Sequence, residues 1–164
     1  MHRPEIPRTG IGYDVHRFAD GRRCVLGGVE IPHERGLLGH SDADVVLHAI
    51  ADALLGAAAL GDIGRHFPPT DLRWAEMDSR EIVRRAVALL EESGMEPVHI
   101  DVTVVAEAPK INPHLGAMQA AIGACAGLPP ETISVKATTN ERLGFVGREE
   151  GIAALAVATI AAKL

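Results

Sequence analysis

Aromatic residues are scarce in this sequence, which holds one Trp, one Tyr and three Phe among its 164 residues. The hydrophobic fraction is nevertheless 47%, so a folded core must be built from Ala, Val, Leu and Ile. A chain of this length can bury such a core without disulfides as staples. We therefore expect one domain that spans residues 1–164.

Cysteine is also rare, since Cys24 and Cys125 are the only two and neither belongs to a Cys-x-x-Cys pattern. This usage predicts buried, reduced thiols in a cytoplasmic protein and disfavours a disulfide framework. Residues 1–5 hold charge and proline but no apolar stretch, so we expect no signal peptide. No window reaches the roughly 18 uninterrupted apolar residues of a membrane span, so we expect no membrane partner.

Positive charge is in short supply as well: 16 Lys and Arg stand against 22 Asp and Glu, which gives a net charge of −6. A nucleic-acid-binding surface needs clustered cations, so this balance argues against a nucleic-acid partner. It does not exclude a small phosphate-bearing molecule held by a few local cations and a metal.

A pair of metal-ligand residues stands near the start of the chain, in the run from Gly10 to His16. Residues 8–18 have the pattern of a strand, so alternation places Asp14 and His16 on one face and turns Val15 into the core. A carboxylate and an imidazole aimed at one point form half of a site of the kind that zinc favours.

The other half of that site is predicted on a long helix. This helix begins at Ser41, where Ser41 and Asp44 resemble a capping box, and continues through the apolar residues 45–60. Asp44, His48 and Asp52 lie at i, i+4 and i+8 and share one helix face. His48 would complete a three-ligand site with one open position, as in catalytic zinc centres, and the two aspartates would orient it. The alternative is that His48 is an ordinary histidine on a helix face, with its hydrogen bonds satisfied, and that Asp14 only ends a strand, so that neither binds a metal.

The element order predicts an α/β (α+β) sandwich with one sheet and helices on one side. The last segment, residues 151–164, is ambiguous because its Ala content favours a helix while its uniform apolarity suits a strand buried on both faces. Such a segment needs cover, part of which we expect from another subunit. The other predicted elements are a hairpin over 25–31 around Gly27-Gly28, loops over 32–40 and 62–77, a helix from Asp78 or Ser79 to Gly94, a strand over 98–107, a helix from Asn112-Pro113 to Gly127 and a strand over 133–138.

Three further segments carry groups that suit phosphate esters. His40 and Ser41 stand at the predicted helix N-terminus, where backbone N–H groups attract anions, although plain capping by Ser41 is the alternative. Lys110 follows one predicted strand, and residues 136–141, with two hydroxyls, end another. Ligands collect at such strand ends, and Glu141 is a hard oxygen ligand for Mg²⁺ or Mn²⁺. For these two segments an ordinary solvated turn is the alternative.

Seven motifs occur in one order along the chain. They are Gly-x-Asp-Val-His-x-Phe (12–18), Leu-Gly-Gly-Val (26–29), Gly-His-Ser-Asp-Ala-Asp-Val (39–45), His-Ala-x-x-Asp-Ala-Leu-Leu-Gly-Ala (48–57), Gly-Asp-Ile-Gly (61–64), Ala-Pro-Lys (108–110) and Lys-Ala-Thr-Thr-x-Glu-x-Leu-Gly-Phe-x-Gly-Arg (136–148). In this combination the chain resembles the 2-C-methyl-D-erythritol 2,4-cyclodiphosphate synthase family of the non-mevalonate isoprenoid pathway. The resemblance covers about residues 8–162.

The resemblance implies a fold and a reaction. The fold would be a four-stranded mixed sheet with helices on one face and a small hairpin, with residues 150–162 as the final strand. The sheets of a homotrimer would face its centre, and the active sites would lie between subunits. The reaction would be that of a phosphorus-oxygen lyase, which converts 4-diphosphocytidyl-2-C-methyl-D-erythritol 2-phosphate to the 2,4-cyclodiphosphate and releases CMP.

The resemblance also assigns site residues. Asp14, His16 and His48 would bind one zinc ion per subunit, and Glu141 would hold Mg²⁺ or Mn²⁺ with the substrate diphosphate. Besides Asp14, His16 and Glu141, the implied substrate-contacting residues are His40, Ser41, Asp62, Ile63, Gly64, Phe67, Thr70, Asp71, Ala106, Pro109, Lys110, Ala137, Thr138, Thr139, Asn140, Phe145 and Arg148. Of the substrate contacts, those with a catalytic role would be His40, Ser41, Lys110, Thr139 and Glu141.

Two positions depart from the family pattern. Pro69 stands where many members carry Asp, and Asn140 replaces a common Thr. No cytidylyltransferase domain precedes the motifs, so we expect the monofunctional form of the enzyme. A metal-dependent phosphohydrolase of a nucleotide diphosphate and a non-catalytic nucleotide-binding trimer are the alternative functions.

Overall fold

The computed structural model describes residues 6–163, so the prediction of no signal peptide in residues 1–5 lies outside the described residues. Three short 3₁₀ turns, at Leu72–Trp74, Asn112–His114 and Pro130–Thr132, connect the regular elements. The strands and helices in chain order are β1 (Arg8–Ala19), β2 (Val25–Leu26), β3 (Val29–Glu30), β4 (Gly36–Leu37), α1 (Val45–Ala57), α2 (Ile63–His66), α3 (Ser79–Glu92), β5 (Met95–Val105), α4 (Leu115–Ala126), β6 (Ile133–Thr138), α5 (Gly144–Gly147) and β7 (Gly151–Ala162).

The main sheet has the strand order β4-β1-β7-β5-β6. Strands β5 and β6 pair in parallel, and the other neighbours are antiparallel, so the sheet is mixed. The four long strands confirm the predicted sheet, and the two-residue strand β4 adds a fifth at its edge. Strands β2 and β3 form the predicted hairpin as a separate two-stranded sheet. Helix α1 packs on β1 and β7, α3 on β5 and α4 on β6.

Two glycines allow β1 to lie directly on α1. A Cβ atom at Gly12 would lie 1.9 Å from the carbonyl oxygen of Ala49, and one at Gly10 would lie 2.1 Å from that of Ala53. These separations are far below van der Waals contact, so no side chain fits at either position. The strand and the helix therefore meet through their backbones, which brings His48 above the carboxyl end of β1.

The other face of β1 shows that one prediction was wrong. Val15 was predicted to turn into the core, but it is 40% exposed, with Ile11 and Tyr13 beside it on the same face. The face toward α1 instead carries the two glycines and then the site residues. The alternation itself was correct, but the core lies on the side of the polar pair because the helix covers that side.

Strand β7 resolves the ambiguity at the end of the chain in favour of a strand. Ile152, Ala154 and Ala156 are fully buried toward the helices. On the opposite face Leu155 and Val157 are 43% and 36% exposed. Only one face of this strand is therefore covered within the single chain, and the exposed residues of β1 and β7 form one apolar surface.

Helix α1 begins later than predicted. Asp44 is its N-cap, and the Asp44 carboxylate accepts the backbone N–H groups of Val46 and Leu47 at 3.1 Å. The same carboxylate accepts the N–H groups of Gly27 and Gly28 in the hairpin turn. The predicted capping box at Ser41 is therefore wrong, because Asp44 offers an oxygen closer to the free N–H groups. Ser41 and His40 precede the helix and do not form its anion-binding end.

The remaining elements match their predictions with shifted bounds. The predicted loop over 62–77 contains α2 and a 3₁₀ turn, Asp78 caps α3, and β5 begins three residues earlier than expected. Gly127 adopts a left-handed conformation, with φ of 69°, and ends α4 as predicted. Across residues 6–163, none of the helices combines the length and the apolar character needed to cross a bilayer.

Candidate active site

Three potential metal ligands converge where β1 meets α1. The Oδ2 atom of Asp14 lies 3.0 Å from Nε2 of His16 and 3.1 Å from Nδ1 of His48. The two imidazole nitrogens lie 3.2 Å from each other. Zinc–nitrogen bonds of about 2.0–2.1 Å in a tetrahedral site imply ligand atoms about 3.3 Å apart. The triangle of ligand atoms therefore fits three corners of such a site.

A hydrogen bond outside the triangle decides which ring nitrogen of His16 carries the hydrogen. The Nδ1 atom of His16 lies 2.8 Å from the carbonyl oxygen of Leu38, which can only accept, so Nδ1 carries the hydrogen. The Nε2 atom of the neutral ring then points a lone pair at the triangle. Binding a metal needs such an unprotonated nitrogen.

The predicted partners of His48 are wrong. Asp44 is occupied by the backbone of α1 and the hairpin, and Asp52 accepts the N–H of Ile63 at 2.8 Å. The Nε2 atom of His48 instead lies 2.9 Å from Oγ of Ser79 and 3.1 Å from Oγ of Ser41. Ser79 comes from α3, and no sequence spacing relates it to the other residues, which is why sequence reasoning missed it.

The surroundings of the triad shift the pKa values of two members. Burial by itself raises the pKa of the Asp14 carboxyl, but hydrogen bonds from His16 and His48, which these imidazoles donate when they are protonated, outweigh it and lower that pKa to about 2. The carboxylate is therefore ionised at neutral pH, as a metal ligand must be. Burial opposes protonation of His16, yet the Asp14 carboxylate raises the pKa of that imidazole. A proton and a metal ion thus compete for the same nitrogen.

The pKa of Asp44 shifts in the opposite direction to that of Asp14, because at Asp44 the effect of burial prevails. Burial raises the pKa of this carboxyl to about 6, although the N–H groups of Gly27, Gly28 and Leu47 act against it. Asp44 is fully enclosed, and its role in the structure is to hold the hairpin on the first turn of α1.

A cavity of about 250 Å³ opens over the triad. Its walls include apolar residues that sequence reasoning missed, among them Leu72, Trp74 and Ile82. Pro69 also lines it, so the position that departs from the family pattern contributes an apolar ring there. Of the substrate-contacting residues predicted beyond the ligands, the cavity brings together His40, Ser41, Ile63, Gly64, Phe67 and Asp71.

Asp62 and Thr70 are sequence neighbours of residues that line this cavity, but they are not among its lining residues. The Asp62 carboxylate caps α2 and accepts the N–H of Arg65 at 3.0 Å. Thr70 is exposed. A substrate contact by either residue therefore stays a prediction.

A second cavity, of about 430 Å³, lies at the carboxyl ends of β5 and β6. These strands are parallel neighbours and pair Val105 with Thr138, so the loops that follow them meet at one edge of the sheet. Of the predicted residues on this side, the cavity collects Ala106, Pro109, Lys110, Ala137, Thr138 and Thr139.

Glu141 and Asn140 lie just beyond that wall, in a tight turn. Glu141 and Arg142 both have left-handed backbones, with φ of 52° and 62°. The Glu107 side chain, only 4% exposed, accepts the N–H groups of Asn140 and Arg142 at 3.2 and 2.9 Å. Sequence reasoning gave Glu107 no role, although a carboxylate at the end of a predicted strand was a signal for it.

Phe145 and Arg148 are placed apart from both cavities. Phe145 lines a third cavity with Phe18, Glu150 and His16. The Arg148 guanidinium is exposed and pairs with Glu150 at 3.0 Å. Their predicted contact with substrate therefore stays a prediction.

Sequence comparisons with known proteins place the chain in a family. The model of the YgbB family matches residues 7–161. A curated relative from Symbiobacterium thermophilum, named 2-C-methyl-D-erythritol 2,4-cyclodiphosphate synthase, is 65% identical over 154 residues, which are 94% of this chain and 98% of the relative.

Solved structures show the same fold. The bifunctional IspDF from Campylobacter jejuni matches with a TM-score of 0.93 and 42% identity, over 96% of this chain and 43% of the bifunctional one. IspF from Plasmodium falciparum, solved as a CDP complex, matches with a TM-score of 0.84 and 30% identity, over 99% of this chain and 100% of that one.

Proposed function

Because the chain belongs to the YgbB family, we infer that it is the enzyme that forms 2-C-methyl-D-erythritol 2,4-cyclodiphosphate in isoprenoid biosynthesis. Its substrate is 4-diphosphocytidyl-2-C-methyl-D-erythritol 2-phosphate, and its second product is CMP. The observation that carries this conclusion is the triangle of Asp14, His16 and His48 at the floor of a cavity, in a chain that is 65% identical to such a synthase.

The reaction is an intramolecular phosphoryl transfer. An oxygen of the 2-phosphate bonds to the β-phosphorus, and the bond between that phosphorus and the oxygen of CMP breaks. A phosphate monoester loses its second proton near about pH 6, so the nucleophile is already an anion at neutral pH. The protein therefore needs no general base, and its task is to align the two phosphates and to offset their charge.

The triad is the part of the protein that would hold a metal at the reacting phosphates. Its donor set of one carboxylate and two imidazoles suits zinc, and three protein ligands leave one position for substrate. Zinc bound there would polarise a phosphoryl oxygen. Asp14, His16 and His48 keep the three donor atoms within hydrogen-bonding distance of one another, so little rearrangement is needed for binding.

His40 and Ser41 are proposed to contact the reacting phosphates from the wall of the same cavity. His40 is exposed at its rim, while Ser41 is buried and its Oγ accepts the N–H of Ala43 at 3.1 Å. Ser41 thus keeps its own hydroxyl hydrogen for donation. We propose that Asp62 and Gly64, with Ile63, Phe67, Thr70 and Asp71, hold the methylerythritol part.

The second cavity is proposed to bind the cytidine diphosphate part. Lys110 and Thr139 supply a charge and a hydroxyl for phosphate oxygens, and small residues such as Ala106 and Ala137 admit a flat base. Asn140 and Glu141 lie in the adjoining turn, and Glu141 would hold the Mg²⁺ or Mn²⁺ that accompanies the diphosphate. Phe145 and Arg148 complete the proposed set of substrate contacts.

We propose that the enzyme is a homotrimer with its active sites between subunits. The support in the structure is the apolar surface of β1 and β7, where Ile11, Tyr13, Val15, Leu155 and Val157 are exposed in the single chain. Contiguous apolar surface of this kind usually marks an interface. The two cavities share no lining residue, so one active site can be formed from the triad cavity of one subunit and the second cavity of another.

Mixing two inactive variants tests the shared site. If His48→Ala chains are unfolded and refolded with Glu141→Gln chains, random assembly gives about a quarter of the interfaces two intact halves. Activity should then return to about a quarter of the wild-type value. Activity that stays at the level of the separate variants would contradict a site between subunits.

One incubation tests the reaction itself. The diphosphocytidyl substrate with the purified enzyme should give CMP and the cyclic diphosphate, as identified by ³¹P NMR. A linear phosphate as product would support the metal-dependent phosphohydrolase instead. Binding of CDP without release of CMP from the substrate would indicate a non-catalytic nucleotide-binding trimer.

A further inference from the structure

A hydrogen-bonded chain runs from the triad into the protein behind His48. The Nε2 atom of His48 lies 2.9 Å from Oγ of Ser79, and that hydroxyl lies 2.5 Å from Oδ1 of Asp42. Ser79 is fully buried and His48 is 6% exposed. The hydrogen bond between Ser79 and His48 is therefore shielded from bulk water, where hydrogen bonds are strong and their direction matters, and Asp42 is partly buried at the end of the chain.

The direction of this chain follows from the chemistry of its last member. An ionised carboxylate only accepts, so the single hydroxyl hydrogen of Ser79 goes to Asp42. The Ser79 oxygen is then left as an acceptor toward His48, and Nε2 of His48 must carry the hydrogen. A neutral imidazole with hydrogen on Nε2 has its lone pair on Nδ1, which is the atom aimed at Asp14 and His16.

Asp42 itself is held rigidly by three backbone contacts. Its Oδ1 atom accepts the N–H of Asp44 at 3.1 Å, and its Oδ2 atom accepts the N–H of Ser79 at 3.0 Å. The N–H of Asp42 donates to the carbonyl oxygen of Met77. Asp42 thus joins the segment before α1, which carries His48, to the start of α3, which carries Ser79.

Ser41 makes the opposite tautomer available. Its hydroxyl lies 3.1 Å from Nε2 of His48 and keeps its own hydrogen to donate. If Ser41 donated to Nε2, the hydrogen of His48 would sit on Nδ1 and point at the Asp14 carboxylate. In that arrangement the imidazole could not bind a metal without first losing a proton. The bond from Ser79 to Asp42 decides between the two forms.

We propose that Asp42 and Ser79 are positioning residues that keep the hydrogen of His48 on Nε2 and leave Nδ1 free as a metal ligand. This proposal rests on the proposed function only in one respect, which is that the function explains why a metal is bound at the triad. Outer hydrogen-bond partners of metal-binding histidines act in this way generally, and their loss costs 10- to 100-fold in metal affinity.

Zinc affinity of two variants tests the proposal. Ser79→Ala removes the acceptor, and Asp42→Asn keeps the shape but replaces one accepting oxygen by an amide N–H group, so the Ser79 hydroxyl loses its charged acceptor. Both should weaken zinc binding by ~10- to 100-fold in a competition with a chelator of known affinity. Ser93→Ala, at the exposed end of α3, is the matched control and should bind zinc as the wild type does.

The tautomer of the metal-free wild type gives an independent measurement. Two-bond ¹H–¹⁵N correlation spectra at neutral pH, with His48 assigned from the His48→Ala variant, should show hydrogen on Nε2 and a bare Nδ1. In Ser79→Ala, where Ser41 is the remaining hydroxyl at Nε2, the hydrogen should move to Nδ1. Hydrogen on Nδ1 in the wild type, or wild-type zinc affinity in a folded Asp42→Asn variant, would overturn the proposal. Neither measurement depends on turnover, so the cyclase function and this inference can fail separately.

Discussion

The two cavities of this chain are built in opposite ways. Around the triad, the side chains of His48, Ser41 and Ser79 are buried and hydrogen-bonded to one another. Around the second cavity, Lys110, Thr138 and Thr139 are exposed. The triad part of the site is therefore organised before any ligand arrives, whereas the second cavity presents polar side chains to solvent.

The difference follows from what each half has to hold. A metal site must fix three donor atoms to within tenths of an ångström, which needs buried partners and rigid elements. A diphosphate brings its own charge and oxygen atoms, and exposed lysine and threonine side chains can close on it. Four substitutions probe this contrast, two in each half.

The largest effect is expected from His48→Ala in the buried half. A metal that polarises a phosphoryl oxygen supplies several kcal/mol to the transition state, and about 1.4 kcal/mol is tenfold in rate. Turnover should fall by ~10³-fold or more, and zinc content by elemental analysis should drop to background, while circular dichroism shows an intact fold. His99→Ala, an exposed histidine on β5, should keep both. Full activity in a zinc-free His48→Ala variant would refute the metal site.

Gly12→Ala tests whether the buried half depends on backbone contact between β1 and α1. Its Cβ atom would meet the Ala49 carbonyl at 1.9 Å, so strand and helix must separate. We expect a loss of about 3 kcal/mol in the free energy of unfolding by urea titration. Gly116→Ala, whose Cβ has open space in α4, should instead stabilise the protein by about 0.5–1 kcal/mol. An unchanged unfolding midpoint for Gly12→Ala would contradict the close approach.

Glu141→Gln tests the exposed half. The amide keeps the size of the side chain but is a poor ligand for a hard divalent cation, so turnover should fall roughly 10²-fold. Zinc content should stay near the wild-type value, because this residue is not part of the triad. Glu131→Gln, on another exposed turn, is the control. Unchanged dependence on Mg²⁺ or Mn²⁺ in Glu141→Gln would count against its role.

Glu107→Gln should give the smallest change. The neutral amide oxygen can still accept the N–H groups of Asn140 and Arg142, but two charge-assisted hydrogen bonds become ordinary ones. This loss of about 1 kcal/mol should loosen the turn and raise KM by about fivefold, with kcat and zinc affinity nearly unchanged. A larger effect on zinc affinity than on KM would show that the two halves are not independent.

The sequence was sufficient to predict elements that depend on local pattern. Alternation placed Asp14 and His16 on one face, and Gly127 ended α4 in a left-handed turn. The start of α1 was missed because Ser41 and Asp44 are both good caps, and only the tertiary position of the hairpin selects Asp44.

The partners of the site were harder to predict. Ser79 and Glu107 act on residues more than thirty positions away, through contacts that the packing of α3 and the edge of the sheet create. The orientation of Val15 failed for a related reason, since alternation gives two faces but does not say which one a helix covers. The resemblance to a family named the triad, but it did not name the residues that orient His48.

The contact of Gly10 and Gly12 with α1 has a consequence for how this protein can vary. The spacing between the ligands on the strand and the ligand on the helix is set by main chain touching main chain, with no intervening side chain. Substitutions elsewhere in the aliphatic interior can therefore accumulate without altering the separation of the donor atoms. Diverse sequences can share this centre provided that both glycines persist.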